Sequence, residues 1–216
     1  MARGTLITIE GIDGAGKSTL AASLQRELAA RGLDARLVRE PGGVELAERL
    51  RALVTDPDID VSPRAEALLY AAARAQLVAE LLRPLLDGGT LLLLDRFSDS
   101  TLAYQGGGRR LGVEQMRILD EFATGGLVPD RTLLLRLPPS LARARLGARP
   151  GGAPERPDRL EAETAAFFEA VSATYEDLAA AEPARFRVLD ATRRPDEVLA
   201  EALATLEDLL AAQPAD

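Results

Sequence analysis

The sequence predicts an α/β fold of three layers, a five-stranded parallel sheet with helices on both faces. Three observations lead there. Apolar runs of strand length alternate with longer helical stretches from one end of the chain to the other. Residues 90–94, Thr-Leu-Leu-Leu-Leu, are nearly all apolar, as expected of a central parallel strand covered on both sides. Finally, Gly11-Ile12-Asp13-Gly14-Ala15-Gly16-Lys17-Ser18-Thr19 fits the phosphate-binding loop pattern, between a predicted strand over 5–10 and a predicted helix over 18–30.

In such a loop the glycines let successive backbone N–H groups turn into one concavity, which faces the positive end of the following helix. A di- or triphosphate suits that cup. Lys17 reaches the outer phosphates, and the Ser18 hydroxyl is a ligand for the Mg²⁺ that accompanies them. Lys17 is the only lysine among 26 basic residues, so the other 25 are arginine. A lysine in that background marks a place where a compact ammonium is needed and a guanidinium does not fit.

With 216 residues, 47% hydrophobic and 28% charged, the chain can bury a sizeable core and is expected to form one domain over 1–216. No apolar run approaches the roughly 18 residues that span a bilayer. The chain starts directly into its first strand without a signal-peptide pattern, so a cytoplasmic protein with no membrane partner is expected. There is no cysteine and no histidine, which rules out thiolate catalysis, histidine triads and zinc sites built on either residue. Phosphoryl transfer survives this exclusion because it runs on positioning and charge stabilisation. A net charge of −8 argues against a nucleic-acid partner, while a small anion held by local arginines remains possible.

Along the chain, Arg31-Gly32 reads as a helix end and residues 35–39 as the second strand. Glu40-Pro41-Gly42-Gly43 lies beyond the carboxyl end of that strand, at the edge where open α/β sheets bind ligands, although a purely structural turn is the alternative. Residues 44–53 predict a short helix. Ser62 as N-cap and Pro63 at the first position open a long helix to about residue 86. It is apolar on more than one face, which fits burial or packing against a second subunit. Tyr70 and Arg74 share a face of it; either both line a site, or one is a core aromatic and the other a surface charge.

The strand over 90–94 ends in Asp95, a position suited to a carboxylate that holds Mg²⁺ directly or through water. Arg96 follows, placed for a bidentate grip on a second phosphate; a strand-ending ion pair is the alternative. Residues 98–108, with Ser100, Thr101, Tyr104 and Gln105 before a glycine triplet, read as a polar loop. Residues 113–124 predict a helix, 131–137 the fourth strand and 141–146 a further helix. The segment 147–159 has three prolines and three glycines in thirteen positions and carries Arg149, Arg156 and Arg159. It fits a mobile basic lid over a triphosphate, with a plain disordered loop as the alternative. Residues 160–180 predict a helix, 186–189 the fifth strand and 196–212 the last helix.

Taken together, the 11–19 loop, Arg39-Glu40-Pro41-Gly42-Gly43, Asp95-Arg96-Phe97, Ala103-Tyr104-Gln105-Gly106-Gly107-Gly108-Arg109 and Asp158-Arg159-Leu160-Glu161 resemble the bacterial thymidylate kinase family of P-loop nucleoside monophosphate kinases. The resemblance runs from residue 4 to about residue 210. It implies transfer of the γ-phosphoryl of Mg-ATP to dTMP, a five-stranded parallel sheet and a homodimer. ATP would lie on Gly11, Asp13, Gly14, Ala15, Gly16, Lys17, Ser18 and Thr19. The dTMP site would comprise Asp13, Glu40, Pro41, Tyr70, Arg74, Arg96, Thr101, Tyr104 and Gln105. Within it the resemblance has Arg96 on the phosphate, Tyr70 stacked on thymine, Arg74 on a thymine carbonyl, Thr101 near the ring nitrogen and Tyr104 against the sugar, where a 2′-hydroxyl finds no room. Catalysis would fall to Lys17 and Arg96 with a lid arginine, Arg149 or Arg156, and the metal to Ser18 and Asp95.

Two positions depart from the family pattern. Tyr70 stands where phenylalanine is more usual, and Ala15 where some relatives carry an arginine, which moves the catalytic cation to the lid. Two other functions compete. A kinase of another nucleoside monophosphate would share the loop and lid, and a non-catalytic ATP-binding module would have no use for Arg96. A guanine-dependent switch would need an Asn-Lys-x-Asp segment, and the chain has no asparagine.

Overall fold

A computed structural model describes residues 3–148 and 159–211. In chain order the elements are β1 (Leu6–Glu10), α1 (Lys17–Ala30), β2 (Ala35–Arg39), α2 (Glu45–Thr55), α3 (Pro63–Leu77), α4 (Arg83–Asp87), β3 (Leu91–Asp95), α5 (Ser98–Thr101), α6 (Val113–Thr124), β4 (Arg131–Arg136), α7 (Pro139–Gly147), α8 (Ala165–Ala181), β5 (Phe186–Asp190), α9 (Pro195–Ala204) and α10 (Glu207–Leu210). The five strands pair in parallel in the order β2-β3-β1-β4-β5. The chain therefore leaves β1, passes over β3 to form β2, and later returns to the other side of β1. That reversal opens a crevice at the carboxyl ends of β1 and β3, where the phosphate loop begins.

Alternation along each strand explains the uninterrupted hydrophobicity. Ile7 and Ile9 of β1, with Leu93 of β3, join the core under α1 and α8. Leu6, Leu92 and Leu94 point the other way, into a second core with Ala73, Leu77 and Leu82. Successive side chains of a strand face opposite sides, so a sheet buried on both faces needs apolar residues at every position.

The helices differ from expectation in four places. Residues 98–108 are not a loop: α5 runs directly into a π-helical segment, Leu102–Gly108. The glycines there serve close packing. A Cβ at Gly107 would lie 2.0 Å from Thr174 Oγ1, and one at Gly108 would lie 2.5 Å from the Phe167 ring, so α8 can seat only against bare backbone. The helix from Pro63 widens into a π turn at Val78–Leu82, because Pro84 has no N–H to give to the preceding turn. The helix expected over 160–180 starts at Ala165, where the Thr164 hydroxyl accepts from Phe167 N–H at 3.2 Å. The helix expected over 196–212 breaks after Ala204, where Thr205 Oγ1 donates to the Ala202 carbonyl at 2.8 Å and competes with the helical ladder, and resumes as α10. No described helix is long and apolar enough to cross a membrane.

Candidate nucleotide site

The phosphate loop leaves β1 at Gly11 and enters α1 at Lys17. Three glycines hold it in the left-handed region: Gly11, Gly14 and Gly16, with φ of 137°, 85° and 97°. Gly14 is obligatory twice over, since a Cβ there would also sit 2.5 Å from the Ala142 carbonyl oxygen. Lys17 is buried and donates to the Ile12 carbonyl at 2.9 Å. Burial, and then the neighbouring Arg96 guanidinium, push its ammonium down to about 8, against the pull of Asp13 and Asp95. Ala15, which is buried, and Ser18 and Thr19, which are exposed, all line a cleft of about 870 Å³.

β3 delivers the next two residues. Ile9 of β1 is in register with Asp95, so the strand tip stands beside the loop, and Ser18 Oγ donates to Asp95 Oδ2 at 2.7 Å. Arg96 then takes a φ of 70°, a left-handed conformation that costs a non-glycine residue about 1–2 kcal/mol. Two backbone donors fix this turn: Arg96 N–H to the Ile9 carbonyl at 3.1 Å and Phe97 N–H to Glu10 Oε1 at 2.7 Å. The Arg96 guanidinium meets Gly11 O and Ser100 Oγ with Nη1, and Asp13 Oδ1 and the Tyr104 hydroxyl with Nη2. It also lies 4.9 Å above the Tyr104 ring. Burial opposes a charge on Asp13, yet Arg96, Lys17 and the Tyr104 hydroxyl hold its carboxyl well below the usual carboxylate range.

A narrow branch of about 90 Å³ leaves the cleft between α3 and the helical segment after β3. Asp13, Glu40, Pro41, Tyr70, Arg74, Arg96, Thr101, Tyr104 and Gln105, the nine residues expected at the acceptor site, all line it. Arg74 is no surface charge. It is 3% exposed and spends four N–H groups on protein: Nε on Glu40 Oε2 at 2.8 Å, Nη1 on Thr101 Oγ1 at 2.8 Å and Asp120 Oδ1 at 2.7 Å, and Nη2 on the Phe97 carbonyl at 3.0 Å. A guanidinium has five donors, so one on Nη2 remains beside the branch that Arg74 lines. Glu40 precedes a cis peptide to Pro41. Burial pushes its carboxyl up to about 7 in spite of the Arg74 guanidinium beside it, and its Oε1 is buried without a hydrogen-bond partner. Gln105 Nε2 donates to the buried Glu66 at 2.7 Å, which also accepts from Arg109 and Arg159.

Arg149 and Arg156 lie outside the described residues, as does most of the 147–159 segment. Three further charges were not singled out from the sequence. Arg51 lines both cavities and donates to the Pro41 carbonyl at 2.9 Å. It shares the face of α2 that carries the buried Ala47 and Val54, and an arginine on a buried face was the available signal. Asp120 interrupts the buried stripe of Met116, Ala123 and Thr124 on α6 in the same way. Arg145 donates to the Ala191 carbonyl at 2.8 Å and, with Arg193, lines the far end of the large cleft. Among the described residues no three carboxylates or other acidic ligands converge on a metal-sized site. The Ser18–Asp95 pair supplies the oxygen donors of the kind Mg²⁺ takes when phosphates and water complete its shell.

A phosphate loop at the carboxyl edge of a parallel sheet, with a second basic crevice opening beside it, defines the class of P-loop nucleotide phosphotransferases. Comparison with known proteins narrows the class. The family model described as Thymidylate kinase matches residues 9–202. Proteins named thymidylate kinase are 48% identical over 96% of this chain and 98% of their own length in Deinococcus radiodurans, and 45% identical over 96% of each chain in Halorhodospira halophila. A third, from Leifsonia xyli subsp. xyli, is 50% identical over 92% of each. The chain belongs to the thymidylate kinase family.

Proposed function

We propose that this protein is a cytoplasmic kinase that transfers the γ-phosphoryl of Mg-ATP to the 5′-phosphate of dTMP, giving dTDP and ADP. The observation that carries the reading is the sharing of Asp13, Glu40, Arg51 and Arg96 by the large cleft and its branch. Two phosphate groups, one from each nucleotide, would meet at that junction. Asp13 lies 3.8 Å from the Lys17 ammonium and contacts Arg96, so one carboxylate bridges the two cations. Arriving phosphates would take over as the partners of Lys17 and Arg96, and the attacking and leaving oxygens would be aligned between them.

The reaction forms a bond from an acceptor phosphate oxygen to the γ-phosphorus and breaks the bond to the β–γ bridging oxygen. An ionised phosphate needs no base to remove a proton, so a site without histidine suffices. Ser18 and Asp95 would hold Mg²⁺, which when bound neutralises the donor phosphates. Arg149 or Arg156 would add a cation at the transferring group on the strength of the resemblance. The remaining Arg74 donor supports recognition of a base carbonyl, since a guanidinium cannot accept a hydrogen bond from an amino group. Tyr70 would stack on thymine, and Tyr104 would stand against the deoxyribose, with Thr101, Gln105 and Pro41 completing the wall. Adenine would lie toward Ala191 and Arg193. A homodimer is supported by large apolar side chains left bare on two neighbouring helices: Leu68 at 58%, Ile118 at 63% and Phe122 at 88% exposure.

The direct test is to mix the purified protein with Mg-ATP and dTMP and separate the products. Equimolar dTDP and ADP are expected; ADP without dTDP would overturn the reading.

A further inference from the structure

Glu10 is a carboxylic acid with no part in the chemistry above, and it is fully buried at the end of β1. Three donors converge on it. Phe97 N–H reaches Oε1 at 2.7 Å, while the Ser100 hydroxyl at 2.6 Å and the Tyr175 hydroxyl at 2.8 Å reach Oε2. Both of the first two lead to Arg96. Phe97 is the next residue in the chain, and its N–H closes the turn that keeps Arg96 left-handed. Ser100 Oγ accepts from Arg96 Nη1 at 3.1 Å while its own hydrogen goes to Glu10. Burial is expensive for a lone carboxylate and tolerable for one with three donors, so a residue kept here in ionisable form points to something beyond packing.

We propose that Glu10 is a positioning residue for Arg96: its carboxyl group closes the Asp95-Arg96-Phe97 turn and, through Ser100, sets the direction in which the guanidinium meets the acceptor phosphate. The inference rests on the reading of Arg96 as the acceptor-phosphate ligand. Glu10 immediately precedes Gly11, whose carbonyl also receives Arg96 Nη1 at 3.2 Å. One residue thus ties the start of the donor loop to the acceptor arginine, and the spacing of the two phosphates would follow from it.

Charge and geometry make opposite demands here. As a mere negative neighbour, Glu10 weakens the attraction of Arg96 for phosphate, and Glu10→Gln would lower KM for dTMP. As a positioning group it holds Arg96 on target. Glutamine keeps an acceptor for Phe97 N–H but turns an NH₂ toward Ser100 and Tyr175, so the relay to Arg96 is broken at constant size. A misplaced ligand of this kind costs on the order of 10-fold or more.

The experiment measures steady-state kinetics for dTMP and ATP in the wild type, Glu10→Gln, Ser100→Ala, Arg96→Ala and the Glu10→Gln/Arg96→Ala double variant. Glu10→Gln and Ser100→Ala are each expected to raise KM for dTMP about 10-fold with KM for ATP within about twofold. In the Arg96→Ala background, Glu10→Gln should add less than about twofold, because the group it acts through is gone. An unchanged or lowered KM for dTMP in both single variants, or an equal penalty with and without Arg96, would overturn the inference. If Arg96→Ala itself leaves KM for dTMP unchanged, it is the reading of the acceptor site that fails. Should Glu10→Gln not fold, Ser100→Ala alone decides, since it cuts the relay and leaves Glu10 in place.

Discussion

The Ser18 hydroxyl donates to Asp95 Oδ2 at 2.7 Å across 77 residues of sequence. The first turn of α1 and the tip of β3 are thereby joined where a cation accompanying the donor phosphates would sit. Replacing Asp95 by alanine should raise the free Mg²⁺ needed for half-maximal rate at least ~10-fold, the usual effect of removing a group that orients a metal. Rate measured against Mg²⁺ at saturating nucleotides checks this, and an unchanged Mg²⁺ requirement would remove Asp95 from the metal site.

Lys17 is the group nearest the donor phosphates in the proposed arrangement, and its ammonium is already desolvated. Lys17→Ala should lower kcat by at least ~100-fold, because stabilising charge at the transferring group is a dominant contribution to the rate. Lys17→Arg should not restore it, since a planar guanidinium does not fit a site made for a compact ammonium. Turnover within ~10-fold of wild type in either variant would contradict this role.

Glu40 supplies a prediction about pH. Its carboxyl is raised from the ordinary 4.5 to about 7, with burial as the largest cause. The folded protein therefore keeps this proton to higher pH than the unfolded chain, and stability falls as pH rises from 4.5 through 7. Glu40→Gln cannot titrate. Between pH 5 and pH 8 it should lose roughly 2 kcal/mol less stability than the wild type. Urea unfolding at the two pH values checks the difference, and parallel losses would contradict it. Glu10, also raised to about 7 by burial and by Asp99, is present in both proteins, so the comparison isolates the titration of Glu40 together with its coupling to Glu10.

Phe122 is 88% exposed on α6, on the helix that turns Asp120 inward to Arg74. If a second copy covers it, Phe122→Glu places a charge in that contact. The wild type should sediment as a dimer at micromolar concentration and the variant as a monomer. A monomeric wild type would contradict the proposed assembly.

The sheet and the phosphate loop were legible in the sequence because both are local patterns: runs of apolar residues, and glycines at a spacing that backbone geometry demands. The long-range partners were not legible. Arg74 finds its four acceptors 34, 27, 46 and 23 residues away, on three separate stretches of chain. Spacing within one helix could place Arg74 beside Tyr70 but could not decide between solvent and a buried carboxylate. Residues 98–108 were misread for a related reason. Glycines break helices in isolation, whereas Gly107 and Gly108 are there to let α8 approach a helix that persists. The buried charges Glu10, Glu66 and Asp120 do leave a trace, as acids at positions where the periodicity calls for an apolar residue.

The claim that this site is built for a thymine nucleotide is tested most directly by comparing acceptors. With ATP as donor, kcat/KM is measured for dTMP, dUMP, UMP, CMP, AMP and GMP. A preference for dTMP of at least ~10-fold over dUMP is predicted from the lost contacts of the thymine methyl, and a larger one over the ribonucleotides from a pocket that excludes a 2′-hydroxyl. Equal use of dTMP and any of the other five would contradict it.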